Sequence, residues 1–129
     1  MDLKKYNRSD CKYRAPREPS VHIAKMGTLS INKAAVIGLG LKQADKINLF
    51  QDTWRPEDWY IQKTTDNDGL KLRQTNNSLV VNASGVVKEM FKSLDIKEKS
   101  ATFRISVEPT EDNNEQYFAI LTKVPNNHE

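Results

Sequence analysis

The chain has few of the side chains that most often carry chemistry: one cysteine and two histidines in 129 residues. The single thiol, Cys11, has no internal partner for a disulfide, which suits a reducing, cytoplasmic setting. His22 falls in an alternating apolar stretch and His128 within the last two residues, so neither has the neighbours of a catalytic base. No His/Cys group has metal-ligand spacing. The five glycines are scattered, which excludes a glycine-rich phosphate loop. Asp66, Asp68, Glu108, Glu111 and Asp112 belong to turns and loops, where carboxylates are usually solvated. No apolar run approaches the roughly 18 residues of a membrane span. The charged start, Met1 to Tyr6, has no apolar stretch behind it, unlike a secretory signal. The expectation is a non-enzymatic protein with no catalytic residues, no metal, no cofactor and no membrane association.

The charge that is present is unevenly placed. Residues 1–18 hold six basic groups, Lys4, Lys5, Arg8, Lys12, Arg14 and Arg17, against Asp2, Asp10 and Glu18. The remaining 111 residues carry fourteen charges of each sign, so the net +3 sits entirely in this segment. Two nearby prolines, Pro16 and Pro19, disfavour helix and keep the chain extended. Residues 1–19 therefore read as a basic flexible arm, and residues 20–129 as a single domain.

Within that domain the apolar pattern repeats. Val21 and Ile23, then Leu29 and Ile31, alternate with polar or small residues as in strands, and Gly27 permits the turn between them. Asn32 is a good N-cap for the short helix that follows, Lys33 to Leu39, which Gly38 weakens and Gly40 ends. Ile47 to Phe50 and Trp59 to Lys63 read as strands around a loop containing Trp54 and Pro56. Asp68-Gly69 reads as a hairpin turn leading into Leu70 to Arg73. About fifty residues after the first copy, Ser78 to Asn82 starts a second: strand, a helix with Val86, Val87, Met90, Phe91 and Leu94 on one face, strand Ala101 to Val107, polar loop, strand Tyr117 to Leu121. Asn82 or Ser84 is placed to cap this helix, and Leu94-Asp-Ile-Lys97 echoes Leu39-Gly-Leu-Lys42. The order matches in both halves, which favours a duplicated unit. The expected halves are 20–66 and 67–122, with a tail at 123–129. The expected core is Leu29, Ile31, Val36, Leu39, Leu41, Ile47, Leu49, Leu79, Val81, Val87, Met90, Phe91, Leu94, Phe103, Ile105 and Leu121.

The stretch from Gly27 to Ile47 resembles the swapped-hairpin domain of AbrB-type transition-state regulators and related antitoxins. Gly27, Ile31, Leu39, Gly40, Leu41, Asp45 and Ile47 occupy comparable places, while Asn32 stands where that family usually has proline. Over residues 70–121 the likeness is topological, carried by Val81, Leu94, Ile96 and Phe103. In that family two chains interleave their hairpins into one barrel. The resemblance implies a mostly β fold: a duplicated β-β-α-β-β unit closing as a pseudo-symmetric swapped-hairpin-like barrel with two short helices. A chain holding both halves would close the barrel alone, which makes a monomer possible and leaves the oligomeric state open.

Two functions follow. The family binds double-stranded DNA through arginines on the first hairpin and helix, whereas this helix offers only Lys33. Lys25, Arg73, Lys88 and Lys92 are the other candidates on the barrel for phosphate contact, and the arm residues, Arg14 and Arg17 among them, are candidates for entering a groove. This is the pattern expected of a small DNA-binding regulator. The alternative is a protein-interaction or assembly module with no nucleic-acid role, anchored by Trp54. Trp54 also has a plain interpretation, as a cover over one open end of the barrel.

Overall fold

Alternating burial along the chain shapes the sheet. The structure, a computed structural model, describes residues 2–3, 18–76 and 78–122. The arm residues Lys4, Lys5, Arg8, Lys12, Arg14 and Arg17, and the tail 123–129, lie outside these. β1 (Ser20–Ala24) buries Val21 and Ile23 and leaves His22 outside, and β2 (Thr28–Ile31) buries Leu29 and Ile31. After them come α1 (Lys33–Leu39), β3 (Lys46–Gln51), β4 (Trp59–Thr64), β5 (Leu70–Lys71), β6 (Arg73–Thr75) and β7 (Ser78–Asn82). The chain continues with α2 (Ser84–Ser93), β8 (Ser100–Ile105), β9 (Thr110–Asp112) and β10 (Glu115–Leu121). Among the described residues no helix is long and apolar enough to cross a membrane.

Nine strands follow one antiparallel path, β5-β3-β4-β10-β8-β1-β2-β7-β6, and β9 pairs with β10 beside it. The two ends of the path, β5 and β6, are consecutive in the chain and separated only by Leu72. The sheet is therefore a nearly closed barrel, interrupted at that residue. The seam is held locally. Leu72 N donates to Asp45 O at 2.8 Å, Leu72 O accepts from Ala44 N at 3.0 Å, and the Leu72 side chain is buried.

Taking β5 and β6 as one broken strand, the pairings of one half recur in the other. β1–β2 corresponds to β6–β7, β3–β4 to β8–β10, and β1–β8 to β5–β3. The first strand of each half thus pairs with the third segment of its opposite, and β2–β7 and β4–β10 join the halves directly. The helix ends match as well. Gly40 N donates to Ile37 O and Leu41 N to Val36 O; Asp95 N donates to Lys92 O and Ile96 N to Phe91 O. Gly40 and Asp95 both take left-handed φ, 68° and 54°, so each helix closes with the same pair of bonds to its last carbonyls.

Ten expected core residues are buried: Leu29, Ile31, Leu39, Leu41, Ile47, Leu79, Val81, Val87, Met90 and Ile105. Val36, Leu49, Phe91, Leu94 and Phe103 are half-buried against them. Leu121 is a correction: it is 41% exposed, and Ile120 faces inward in its place because β10 has the opposite phase. Val21, Ile23, Ala35, Trp59, Ile61, Leu72, Ala83 and Ile120 complete the buried cluster.

Three local expectations also change. Asp68-Gly69 does not close a hairpin, since β5 pairs with β3 and not with β4, and Gly69 has no positive φ. The segment instead crosses past β3, and a Cβ on Gly69 would meet Lys46 Cβ at 2.9 Å. Neither Asn82 nor Ser84 is the N-cap of α2. Ala83 holds that position without a side-chain bond, and its N–H donates to Gly27 O at 2.8 Å. The polar loop before β10 contains β9, which folds back on Glu115–Tyr117 through Asn113 and Asn114, both at positive φ.

Asn32 caps α1 as expected and also ties the helix to β1. Its Oδ1 accepts from Ala35 N at 2.9 Å and from Ser20 N at 3.0 Å, and its Nδ2 donates to Glu18 O at 2.9 Å. Asp45 performs a similar task at the exit of α1, where its Oδ2 accepts from Lys42 N at 2.8 Å and lies 3.4 Å from Lys63 Nζ. The Lys42 N–H holds the Asp45 carboxyl below its ordinary value, opposed by desolvation and helped by Lys63. Replacing Asn32 by Ala removes the cap and strands the Ser20 N–H, so urea unfolding should show a loss of about 2 kcal/mol. A lowered folded pKa means that Asp45 contributes stability above its unfolded value and that this is lost as pH falls through the folded value. Asp45→Asn should therefore be less stable than the parent at pH 7, with the difference shrinking below about pH 4.

Candidate functional site

The turn between β1 and β2 presses against the start of α2. Gly27 has φ +114°, and a Cβ there would lie 2.7 Å from Ser84 Cβ, so the position requires glycine on two counts. Lys25 N donates to Lys99 O at 2.7 Å, which fixes the other side of the turn to the chain entering β8. Lys25 is thereby held beside the exposed face of α2, where Ser84, Lys88 and Lys92 follow at four-residue spacing. The chain leaves α2 through Asp95 and returns along the helix at Ile96, Lys97 and Glu98.

These segments enclose an open groove of about 640 Å³, with the half-buried Phe91 and Ile96 among its lining. Four lysines line it, Lys25, Lys88, Lys92 and Lys97, against Asp95 and Glu98. Lys97 Nζ lies 3.0 Å from Asp95 Oδ1 and balances it. Among the described residues the ammonium groups of Lys25, Lys88 and Lys92 form no salt bridge. Four lysines against two carboxylates give the groove a net positive lining.

No known protein family, curated protein or solved structure matches this chain.

Three of the five barrel candidates, Lys25, Lys88 and Lys92, come together in the groove. Lys33 does not; it opens α1 and is exposed elsewhere. Arg73 also lies apart on β6, its guanidinium donating to Thr75 Oγ1 at 3.4 Å and Asn82 Oδ1 at 3.3 Å. Lys97 was legible only as the echo of Lys42 after the matching helix ends. Glu98 had no such signal.

The Trp54 loop is ordered by Asp52, whose Oδ1 accepts from Trp54 N at 2.8 Å and Arg55 N at 3.3 Å. Gln51 Nε2 donates to Pro56 O at 2.7 Å, and Asp52 N to Asp58 O at 3.0 Å. The loop leaves Trp54 91% exposed, so it does not cover the barrel. Trp59 is the buried indole, donating from Nε1 to Ser93 Oγ at 2.9 Å. His22 Nδ1 lies 2.7 Å from Thr102 Oγ1 on the outer face of the sheet. Among the described residues no cluster of His, Cys, Asp and Glu has the arrangement of a metal site.

The groove depends on the Gly27 turn, and this is measurable by substitution. Gly27→Ala should lose about 1–3 kcal/mol in thermal or urea unfolding, through strained φ and overlap with Ser84. Gly85→Ala, one residue into α2 with open space around its Cβ, should gain about 0.5 kcal/mol in the same assay.

Proposed function

We propose that the chain is a small, non-catalytic DNA-binding regulator that contacts duplex phosphates through the lysine groove, with the basic arm adding further contacts. The observation that carries this is the convergence of Lys25, Lys88 and Lys92 from two separate elements on one groove with unpaired ammonium groups. The exchange of strands between halves adds support, because it resembles the way two AbrB-type chains interleave. In this proposal the duplicated unit supplies within one chain what that family assembles from two, and a monomer in a reducing cytoplasm is sufficient. The lysines act through charge, so affinity comes mainly from counterion release and carries little sequence information by itself.

A second function has its own observation. Trp54 stands in solvent on a loop held by several hydrogen bonds, as an interface anchor would. It favours a protein-interaction module, whether or not DNA is bound elsewhere.

Fluorescence anisotropy of a labelled random duplex, titrated at two salt concentrations, separates these possibilities. Three phosphates neutralised by the groove predict a slope of log K against log salt of about −2.7, steeper if the arm joins. Lys88→Glu with Lys92→Glu should weaken binding at least about tenfold and flatten the slope by about 2. Unchanged binding in that variant would remove the groove from the proposal. No binding at low salt would reject DNA and leave the interaction module.

A further inference from the structure

A second surface, which shares no lining residue with the lysine groove, lies on the outside of the barrel where β3, β4 and β10 adjoin. Strand alternation puts Ile47 and Leu49, Trp59 and Ile61, and Phe118 and Ile120 inside, so Phe50, Tyr60 and Tyr117 project outward. Phe50 and Tyr60 are directly paired across β3 and β4. Tyr117 meets both edge-on, at ring-centre distances of 5.1 Å to Phe50 and 6.4 Å to Tyr60. These rings line an open cleft of about 460 Å³. Its walls are the corresponding loops of the two halves: Asp52 and Thr53 from the β3–β4 loop, and Thr110, Glu111 and Asp112 from β9.

Three outward aromatics lie together on adjoining strands, and none of them belongs to the core. The charge around them has one sign. Asp52, Glu111 and Asp112 line the cleft, no lysine or arginine does, and Glu111 and Asp112 form no salt bridge among the described residues. Ring faces beside carboxylates attract a cation twice, through the ring quadrupole and through opposite charge. Three rings and three carboxylates around a cleft of about 460 Å³ are more than one small cation covers, which favours a polypeptide. The exposed Trp54 follows Thr53 on the same loop.

We propose that this cleft docks a basic peptide segment of a partner protein. A lysine or arginine side chain of that segment lies against Tyr117, Phe50 and Tyr60, its charge faces Glu111 and Asp112, and Trp54 packs on the neighbouring part of the peptide. The site goes beyond DNA binding and does not depend on it.

The test titrates the full chain with octa-arginine, using octa-glutamate as control, and reads amide chemical shifts by NMR together with calorimetry. Octa-arginine should shift residues 50–54, 60 and 110–117 saturably, and octa-glutamate should not. Glu111→Lys with Asp112→Lys, two exposed changes that leave the core intact, should weaken binding at least about tenfold. Phe50→Ser should weaken it as well, while Lys88→Glu with Lys92→Glu leaves it unchanged. Equal binding by the Glu111/Asp112 variant, shifts confined to other surfaces, or no binding at all would overturn the proposal. If the parent fails to bind but a full chain with the six arm cations changed to Gln binds at the cleft, the arm of this chain is the occupant, and the proposal of a partner's segment is overturned.

Discussion

Everything in this barrel rests on the ladders that cross between its halves. Within one half, β1 pairs with β2 and β3 with β4, which would leave two hairpins with open edges and uncovered apolar faces. Such edges are unstable and prone to pair elsewhere. Here β8 covers the free edge of β1, and β5 covers that of β3. The Val21–Phe103 and Ile23–Ala101 pairs then bring together side chains about 80 residues apart in sequence. Pairing at that separation carries a loop-closure cost that neither half offsets alone, so the two halves are stabilised by the same ladders.

The two halves share pairings and helix ends but differ in what hangs on them. α2 is 10 residues long and α1 is 7, close to one extra turn. The longer helix carries Lys88 and Lys92 beside the Lys25 turn and brings Ser93 within reach of Trp59. The shorter α1 meets a different neighbour. Gly38, which by propensity alone only weakens the helix, also leaves room for a neighbour: a Cβ there would overlap the side chain of Val107, which would have to shift. A repeated frame with unequal helices thus forms the lysine groove at α2, while α1 has Val107 packed against it.

Strand order, the turn at Gly27 and the cap at Asn32 were all legible in sequence, because each follows from local chemistry: alternation, positive φ and a side-chain acceptor. What was not legible has two physical origins, an apolar outer face and contacts between segments distant in sequence. Apolar-in, polar-out alternation identifies the buried face only where the outer face is polar. In Tyr117-Phe-Ala-Ile-Leu121 every residue is apolar or aromatic, so Leu121 was placed inside although Ile120 is. Leu72 was seen within a strand, but nothing local marks it as the break where the barrel nearly closes, since its partners Ala44 and Asp45 lie in another turn. The lysine groove was half visible: Lys88 and Lys92 share a helix face by spacing alone. Their approach to Lys25 depends on Gly27 docking against Ser84, a tertiary contact.

The neutral net charge of the body conceals a separation of sign that composition cannot register. Fourteen charges of each kind in residues 19–129 would suit an evenly solvated surface. The structure instead gathers four lysines against two carboxylates around one groove, and three carboxylates around an aromatic cleft that no cation lines. Local potential follows from this arrangement and not from the sum, because fields from opposite patches are screened over about 8–10 Å at ordinary salt. A phosphate at the groove therefore sees mainly lysine, and a cation at the cleft sees mainly carboxylate. The same residues that put Leu121 on the wrong face of β10 are part of the cause: outward Tyr117 obscured the alternation, and it is the ring around which the acidic cleft is built.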